Sequence, residues 1–441
     1  MNNSSAPLPF IDGLREAAGV RLPGSGLAWL DAARRENLEA FMAAGLPDTR
    51  AEAWKYTALR ALGQRRFALG DLTAAAHGID THALKLPGVD GPRLVFVNGV
   101  FRADLSRLEA LPAGLTLQPL SQVLEKDPEP LRFALSRHYR ETSDTFARLN
   151  AALAGDGMVL RVAANARINK PVQVCFVGAP TQGDLAWHAR NVIELGEGAK
   201  LDLVEHHLYS APHKHLGTLV SDIVLQNGAE LQHVLLQNAG EESTLIRRGS
   251  LHLGAKSRAT MHVLELGGAL TRHDLHAELR GDEARFDTRG VFVLHGRQHV
   301  DTQLSIRHQA LNTASESIWR GVADERSRGV FRGAIVVAEG ADGADASLSN
   351  KNLLLSPLAE IDTKPELEIY ADEVKAAHGA TVGQLDERAL FYLRSRGLPL
   401  AEARALLTAA FCRAVFASLP NETLRDYFSD ALLAHLPRVM P

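Results

Sequence analysis

The sequence predicts a mainly β protein in which a long solenoid is flanked by helical segments. Short runs of alternating apolar and polar residues follow one another from Met158 to about Val382, as in half-buried strands. No helical pattern of about 10–15 residues separates these runs, which argues against a sheet built from βαβ units. Glycines followed by a small or acidic residue recur at intervals of 26–30 residues, at Gly198, Gly228, Gly254 and Gly281.

This repeat favours a β-solenoid over a β-sandwich with ordinary glycine turns, which is the alternative for the same region. Sandwich turns usually recur about every 8–12 residues without a longer repeat. A solenoid coil needs a small residue at each corner and stacks its apolar positions on the next coil. Gly340 and Gly379 continue the pattern less regularly and are expected at further corners.

The segment before the solenoid, residues 1–155, is predicted to be helical at first and then mixed. Apolar residues between Leu27 and Phe41 recur at helical spacing. The run Arg93–Val97 followed by Asn98-Gly99 predicts a strand and a tight turn. A further helix is predicted over Leu131–Leu153.

The segment after the solenoid is predicted to be helical. A helix starts at the acidic Asp386 and stops at Gly397, and Asn421 is expected to cap the last helix. Between them, an apolar stripe from Leu406 to Val415 serves as core, as a docking face or as both. The predicted domains are therefore 1–155, the solenoid at 156–383, and 384–441.

Composition sets the broad class of the protein. The chain has 441 residues, of which 46% are hydrophobic and 23% charged, and this balance excludes wholesale disorder. Its net charge of −4 argues against bulk nucleic-acid binding. The segment Met1–Val20 has no secretory pattern and no run of about 18 apolar residues occurs. We therefore expect a cytoplasmic protein without a membrane span.

The two cysteines, Cys175 and Cys412, lie far apart in the sequence. Two thiols cannot form a disulfide framework or a cysteine-rich metal site within one chain. We expect both to behave as small buried apolar residues.

Motifs of several enzyme classes are missing from the sequence. It contains no phosphate-binding G-x-x-x-x-G-K-[ST], no strand-led G-x-G-x-x-G, no G-x-S-x-G and no H-E-x-x-H. Asp282, Glu283, Asp287 and Arg289 are dense enough to suggest a β-solenoid carbohydrate-active enzyme of the pectin-lyase type. A charged turn between strands is the simpler interpretation.

Histidine is unusually frequent, with 18 in the chain. His213 and His215 lie close enough to suggest a metal carrier, although a solvated polar loop is the simpler interpretation. Other histidines fall in the β runs, where we expect surface or ladder positions without a catalytic role: His233, His252, His262, His295 and His299.

The segment around His378 differs from those of the other histidines. His378 lies between small residues where the solenoid is predicted to end. Glycine beside it permits close backbone approach, so the imidazole is expected to project from the last coil. A terminal coil also has an open edge, which must be capped or paired with a partner strand.

Several runs towards the end of the solenoid and just after it are distinctive: Asn352–Ser356, Lys364–Asp372, Val374-Lys375, His378–Gly383 and Phe391–Gly397. These runs resemble the SufB/SufD family of the SUF iron–sulfur cluster assembly machine, in its SufD branch. Weaker similarity occurs at Glu52–Thr57 and His299–Thr302.

The resemblance implies a right-handed parallel β-helix core and the role of a non-catalytic scaffold. It implies pairing with a SufB-like subunit through the ends of the β-helices, and docking of a SufC-like ATPase on the C-terminal helices. A transient iron–sulfur cluster is implied at the interface with SufB, with none held stably by the isolated chain. The same strand edges also allow a homodimer of the isolated chain.

The resemblance makes His378 the candidate cluster ligand or interface residue. Imidazole suits iron and replaces cysteine on some cluster irons. A lone histidine cannot hold a cluster, so a partner must supply thiolates. Many family members carry a cysteine two residues before this histidine, where this chain has Ala376, so any thiolate role of that position is missing here.

Overall fold

The computed structural model describes residues 8–69 and 79–436. The ends of the two predicted terminal segments lie outside the described residues. Strand is the dominant structure, at 39% against 24% helix, and it forms a parallel β-solenoid of about eight turns with helices at both ends. The predicted fold class is confirmed.

The elements ahead of the solenoid are short helices and strands. The helices are α1 (Pro9–Ala17), α2 (Ala28–Ala44), α3 (Arg60–Gly63), α4 (Leu120–Lys126), α5 (Arg132–Leu135) and α6 (Thr145–Leu153). The strands are β1 (Ala68–Leu69), β2 (Arg93–Val97), β3 (Val100–Phe101) and β4 (Leu115–Pro119).

The helix predicted over Leu131–Leu153 is interrupted between α5 and α6, whereas the strand predicted at Arg93–Val97 is present. Arg148 explains the interruption. Its buried guanidinium donates to the carbonyl oxygens of Tyr139 (2.6 Å), Arg140 and Glu141 (2.9 Å). These bonds hold an irregular segment whose carbonyls a helix would use for itself.

The solenoid strands alternate between two sheets, so that each coil contributes one strand to each sheet. Sheet 1 contains β5 (Met158–Val162), β7 (Leu185–Leu195), β9 (Leu216–Leu225), β11 (Thr244–Leu253), β13 (Leu270–Leu279), β15 (His299–His308), β17 (Arg328–Val337) and β19 (Glu360–Ile369). Sheet 2 contains β6 (Val172–Gly178), β8 (Lys200–Tyr209), β10 (Glu230–Gln237), β12 (Arg258–Glu265), β14 (Arg285–Leu294), β16 (Ala314–Ala323), β18 (Asp345–Leu354) and β20 (Lys375–Gly383).

The repeating glycines mark one corner of the coils. Gly198, Gly228, Gly254, Gly281 and Gly340 all lie in turns that lead from sheet 1 to sheet 2. Gly198 and Gly228 have positive φ angles of 64° and 66°, which favour glycine.

The prediction for Gly379 is wrong, because it lies inside β20 rather than at a corner. The preceding corner is formed by residues 370–374. A Cβ atom at Gly379 would meet nothing within 4 Å, so no contact among the described residues requires glycine there.

The N-terminal segment covers one end and one face of the solenoid. β2 pairs in parallel with β6, and β4 pairs antiparallel with β5, so this segment adds strands to both sheets. Phe41 and Trp54 belong to an apolar cluster that includes Leu216 and Ile246 of sheet 1. The helices therefore lie against the outer face of sheet 1.

Three helices follow the solenoid: α7 (Glu387–Ser395), α8 (Leu400–Arg413) and α9 (Glu422–His435). As predicted, Asn421 caps α9 by accepting a bond from the backbone amide of Leu424 (3.0 Å). Asp386 also caps α7, by accepting a bond from the backbone amide of Arg388 (2.9 Å). Within the described ranges, no helix has the length and apolar character needed to cross a membrane.

The predicted stripe from Leu406 to Val415 is only partly the packing face. Leu406 is 50% exposed, whereas Cys412 and Phe416 are buried. They pack with Leu264 and other residues of the outer face of sheet 2. Core packing is therefore not the only role left open for the stripe, because the helix turns Leu406 away from the sheet.

Candidate functional site

The solenoid ends in a coil with open strand edges. β19 is the last strand of sheet 1 and β20 the last strand of sheet 2. Among residues 8–69 and 79–436, β19 pairs only with β17 and β20 only with β18. Their free edges leave backbone amides and carbonyls without a ladder partner, which is the condition for adding a strand from another chain.

His378 lies on β20, on the row that faces the interior of the solenoid. Its register partner on β18 is Leu348, which belongs to the core between the sheets. Register neighbours on parallel strands share a face. His378 is nevertheless exposed because no further coil among the described residues covers it. Ala376 lies on the same row, in register with Ala346.

The imidazole of His378 is free to meet a ligand or a partner. No hydrogen bond or ion pair to it occurs within the described part of the chain. The same end exposes the apolar side chains of Ile369, Tyr370 and Val382. The structure thus places the predicted site residue at an open, partly apolar end of the solenoid.

The two weaker family-like runs lie against each other in the structure. Thr57 Oγ1 contacts His299 Nε2 at 3.1 Å and donates a hydrogen bond to Asp301. Glu52, from the same run as Thr57, accepts a bond from Lys364 of β19 at 2.6 Å. The N-terminal segment therefore contacts the terminal coil itself through Glu52.

His213 and His215 are buried within their loop rather than solvated, contrary to the simpler interpretation. His215 is buried, accepts from the Leu185 amide at 3.1 Å and lies 2.8 Å from the Ala179 carbonyl oxygen. Its ring stacks on that of His213 at 4.5 Å. In the described ranges, no three His, Cys, Asp or Glu side chains are placed to hold a metal ion. Both histidines therefore have structural partners.

Two of the other histidines, which were expected at surface or ladder positions, do not lie at the surface. His233 and His262 are buried. His262 accepts from Gln232 Nε2 at 2.8 Å, and its other nitrogen lies 3.1 Å from Ser418 Oγ, which links sheet 2 to the C-terminal helices.

The charged residues between Asp282 and Arg289 contact other residues of the fold. Asp282 accepts from the backbone amide of Leu311 at 3.0 Å, and Asp287 pairs with Arg285 at 2.7 Å. Arg289 pairs with Glu316 of the next coil. These side chains serve as turn and ladder partners, which is the simpler of the two interpretations.

Cys175 and Cys412 are free and fully buried, as predicted. Burial raises the pKa of each thiol to about 12. Neither thiol is accessible as a thiolate near neutral pH, so neither complements His378 in this chain.

A buried polar cluster that the sequence patterns did not predict lies between the two sheets. Glu205 lies in register with the core residue Leu235. Its two oxygens lie 2.6 Å from His207 Nε2 and 3.5 Å from His233 Nε2. Burial acts to raise the pKa of Glu205, but the bonds from His207 and His233 outweigh it and hold the pKa well below its usual value.

The cluster continues across to sheet 1, where Arg247 pairs with Glu265 and His273 Nδ1 lies 3.9 Å from the same carboxylate. Its sequence signal was available. Glu205 and His207 are in phase with Leu201 and Leu203 on β8, so the alternation itself places them inside.

Comparisons with known proteins agree with this architecture. The family model described as the SufBD protein N-terminal region matches residues 20–174. The model described as the SUF system FeS cluster assembly, SufBD core domain, matches residues 177–411. Together they cover both the N-terminal segment and the solenoid.

Similar proteins come from several bacteria. The iron–sulfur cluster assembly protein SufD of Escherichia coli is 30% identical over 407 residues, which cover 91% of this chain and 92% of that protein. A SufBD family protein of Synechocystis is 30% identical over 391 residues, covering 86% and 85%. The SufB of Bacillus subtilis is 25% identical over 316 residues, covering 70% and 66%.

Proposed function

The chain belongs to the SufBD family of the SUF iron–sulfur cluster assembly system, and we propose that it serves there as a non-catalytic, SufD-type scaffold subunit. The observation that carries the proposal is the open terminal coil with His378 on its inner row. The domain organisation 1–155, 156–383 and 384–441 and a cytoplasmic location are parts of this proposal.

A SufB-like subunit is the proposed partner at the open coil. The free edges of β19 and β20 offer backbone groups for strand pairing. The exposed Tyr370 and Val382 add apolar area next to these edges. Without a SufB-like subunit, the same edges support a homodimer.

His378 is proposed as a ligand or interface residue for the nascent cluster, which is the cargo of the assembly. A neutral imidazole contributes one donor, and the SufB-like partner supplies the thiolates. Ala376 faces the same interior as His378 and supplies no thiolate, so the thiolate ligands must come from the partner.

A SufC-like ATPase is proposed to dock on the C-terminal helices. Leu406 on α8 and Phe391 on α7 are exposed there, at 50% and 75%. Arg404 of α8 donates to the carbonyl of Leu355, next to the terminal coil, at 2.5 Å. Movement of the docked ATPase thus has a short path to the open coil.

Co-expression with SufB-like and SufC-like subunits tests the pairing. The intact chain is expected to co-purify with both. Val382→Asp is expected to abolish association with the SufB-like subunit, because it places a charge beside the open edge. Val20→Asp is the matched control, since Val20 is 45% exposed and Val382 is 42% exposed. Independent migration of the three wild-type chains would contradict the proposal.

A second pair of variants tests the ATPase surface. Leu406→Asp is expected to lose the SufC-like subunit while keeping the SufB-like one. Leu311→Asp, at a solenoid corner with 44% exposure, is the matched control. Equal loss of the SufC-like subunit in both variants would exclude α8 as the docking surface.

A further inference from the structure

Two buried amide side chains lie directly beneath the terminal coil. Asn350 and Asn352 belong to β18, in register with Trp319 and Gly321 of β16. Trp319 is part of the core between the sheets, so the asparagines face the same interior. Both are almost completely buried, at 0% and 2% exposure.

The two amides connect the last three strands. Asn350 Oδ1 accepts from Asn352 Nδ2 at 2.6 Å and from Thr363 Oγ1 of β19 at 2.8 Å. Asn352 Nδ2 also donates to the backbone carbonyl of Thr381, on β20, at 3.1 Å. One hydrogen-bonded unit therefore joins β18, β19 and β20 across both sheets.

The surrounding residues make room for this unit. A Cβ atom at Gly321 would lie 2.4 Å from Asn352 Oδ1 and 2.2 Å from Cζ of Phe292. Buried amides are costly unless hydrogen-bonded, and apolar side chains fill the neighbouring level at Trp319 and Phe331. An amide pair at this level is thus useful for the bonds it makes rather than for filling space.

We propose that Asn350 and Asn352 are positioning residues that hold β20, and with it His378, in place at the open end before a partner binds. Thr381 is three residues from His378 on a strand with one described neighbour. Such an edge strand opens readily, and holding it in place lowers the ordering cost of association. The part of this inference that concerns a partner rests on the proposed function. The part that concerns β20 being held in place, here called the bracing of β20, does not.

Hydrogen–deuterium exchange on the isolated full chain tests the bracing. Asn352→Leu removes both donated bonds, and exchange of residues 375–383 is expected to accelerate about tenfold while that of β11 is unchanged. Equal acceleration of all strands, or none in residues 375–383, would overturn the proposal.

Asn191→Leu is the matched control, at the opposite end of the solenoid. Asn191 is also fully buried, accepts from the Met158 amide at 3.0 Å and donates to Ser221 Oγ at 3.2 Å. Its variant is expected to affect exchange near β5 and β7 and to leave residues 375–383 unchanged. Acceleration of residues 375–383 in this control as well would overturn the proposal.

Thr363→Val keeps the shape of the side chain and removes one bond to Asn350, so it serves if Asn352→Leu fails to fold. We expect a smaller acceleration of exchange, about threefold, in residues 375–383. No change in those residues would overturn the bracing.

Affinity for a SufB-like subunit tests the part of the inference that concerns a partner. It is expected to weaken about tenfold in Asn352→Leu and to be unchanged in Asn191→Leu. Equal binding of wild type and Asn352→Leu would overturn the positioning role. If wild type itself fails to bind, the proposed function falls, while the exchange result still decides the bracing.

Discussion

At the scale of single residues, Arg272 fastens the N-terminal segment to the solenoid. Its fully buried guanidinium pairs with Asp274 at 2.7 Å and with Asp301, and it donates to the Ala53 carbonyl at 2.8 Å. It also lies 4.0 Å from the centroid of the Trp54 ring. The contacts with Asp274, Asp301, Ala53 and Trp54 thus all depend on one planar cation.

Replacing Arg272 by leucine is expected to lower the free energy of unfolding by about 3–5 kcal/mol, because two buried carboxylates lose their partner. Arg280→Leu is the control, because Arg280 pairs with Glu278 at a position where it is 52% exposed, and a loss below about 1 kcal/mol is expected. Urea unfolding of both variants measures the difference. Equal losses would contradict the structural role of Arg272.

At the scale of elements, two glycines in strands differ in whether the packing inside the chain explains them. Gly290 lies on β14 beside Trp319, and a Cβ atom there would lie 2.2 Å from the indole. Gly379 lies on β20, where a Cβ atom would meet nothing within 4 Å. Glycine in a strand weakens it, so Gly379 needs a reason outside the described chain.

Gly290→Ala is expected to lower the free energy of unfolding by about 1–3 kcal/mol because it overfills the core. Gly379→Ala is expected to leave the isolated chain as stable, or up to about 1 kcal/mol more stable, and to weaken binding of a SufB-like subunit. Thermal or urea unfolding, together with a binding titration, checks both variants. A destabilised Gly379→Ala chain would show that its glycine has an internal role.

Much of the element order could be predicted because the solenoid repeats. The spacing from Gly198 to Gly281 reports coil length, and alternation reports strands. The repeat failed at Gly379, which lies in the final strand rather than at a corner. Helical periodicity alone also left the role of Leu406 open, since the sheet that α8 packs against determines which side of the helix is buried.

At the scale of the whole molecule, buried neutral histidines make stability depend on pH. Burial lowers the pKa of His188 and His206 to about 3, and that of His262 and His308 to about 4. In the unfolded chain these groups titrate near pH 6.5. The unfolded state therefore binds more protons below that pH, and stability falls as pH decreases from about 6.5 towards 4.

Each such histidine is expected to contribute about 1.4 kcal/mol of lost stability per pH unit within that window. His188→Gln should reduce the slope by one such contribution, whereas His82→Gln, at an exposed position, should not. Urea unfolding between pH 7.5 and pH 5 measures the slopes. A pH-independent free energy of unfolding across this range would contradict the burial of these histidines.

The site itself was only partly predictable from the sequence. The end of the β pattern and the resemblance identified His378, but neither revealed that it shares an inner row with Leu348. Alternation places Glu205 and His207 inside, but the complete cluster could not be predicted because His233, Arg247 and Glu265 lie on other coils. Pairing between coils brings them together, and local patterns do not encode that register directly.

Anaerobic reconstitution of an iron–sulfur cluster on the complex with SufB-like and SufC-like subunits tests the central claim most directly. His378→Ala is compared with wild type and with His82→Ala, an exposed control. We expect the cluster absorbance to be lost in His378→Ala while size exclusion shows an intact complex, and no loss in His82→Ala. An unchanged cluster yield in His378→Ala, or disassembly of its complex, would contradict a role for His378 in building the cluster.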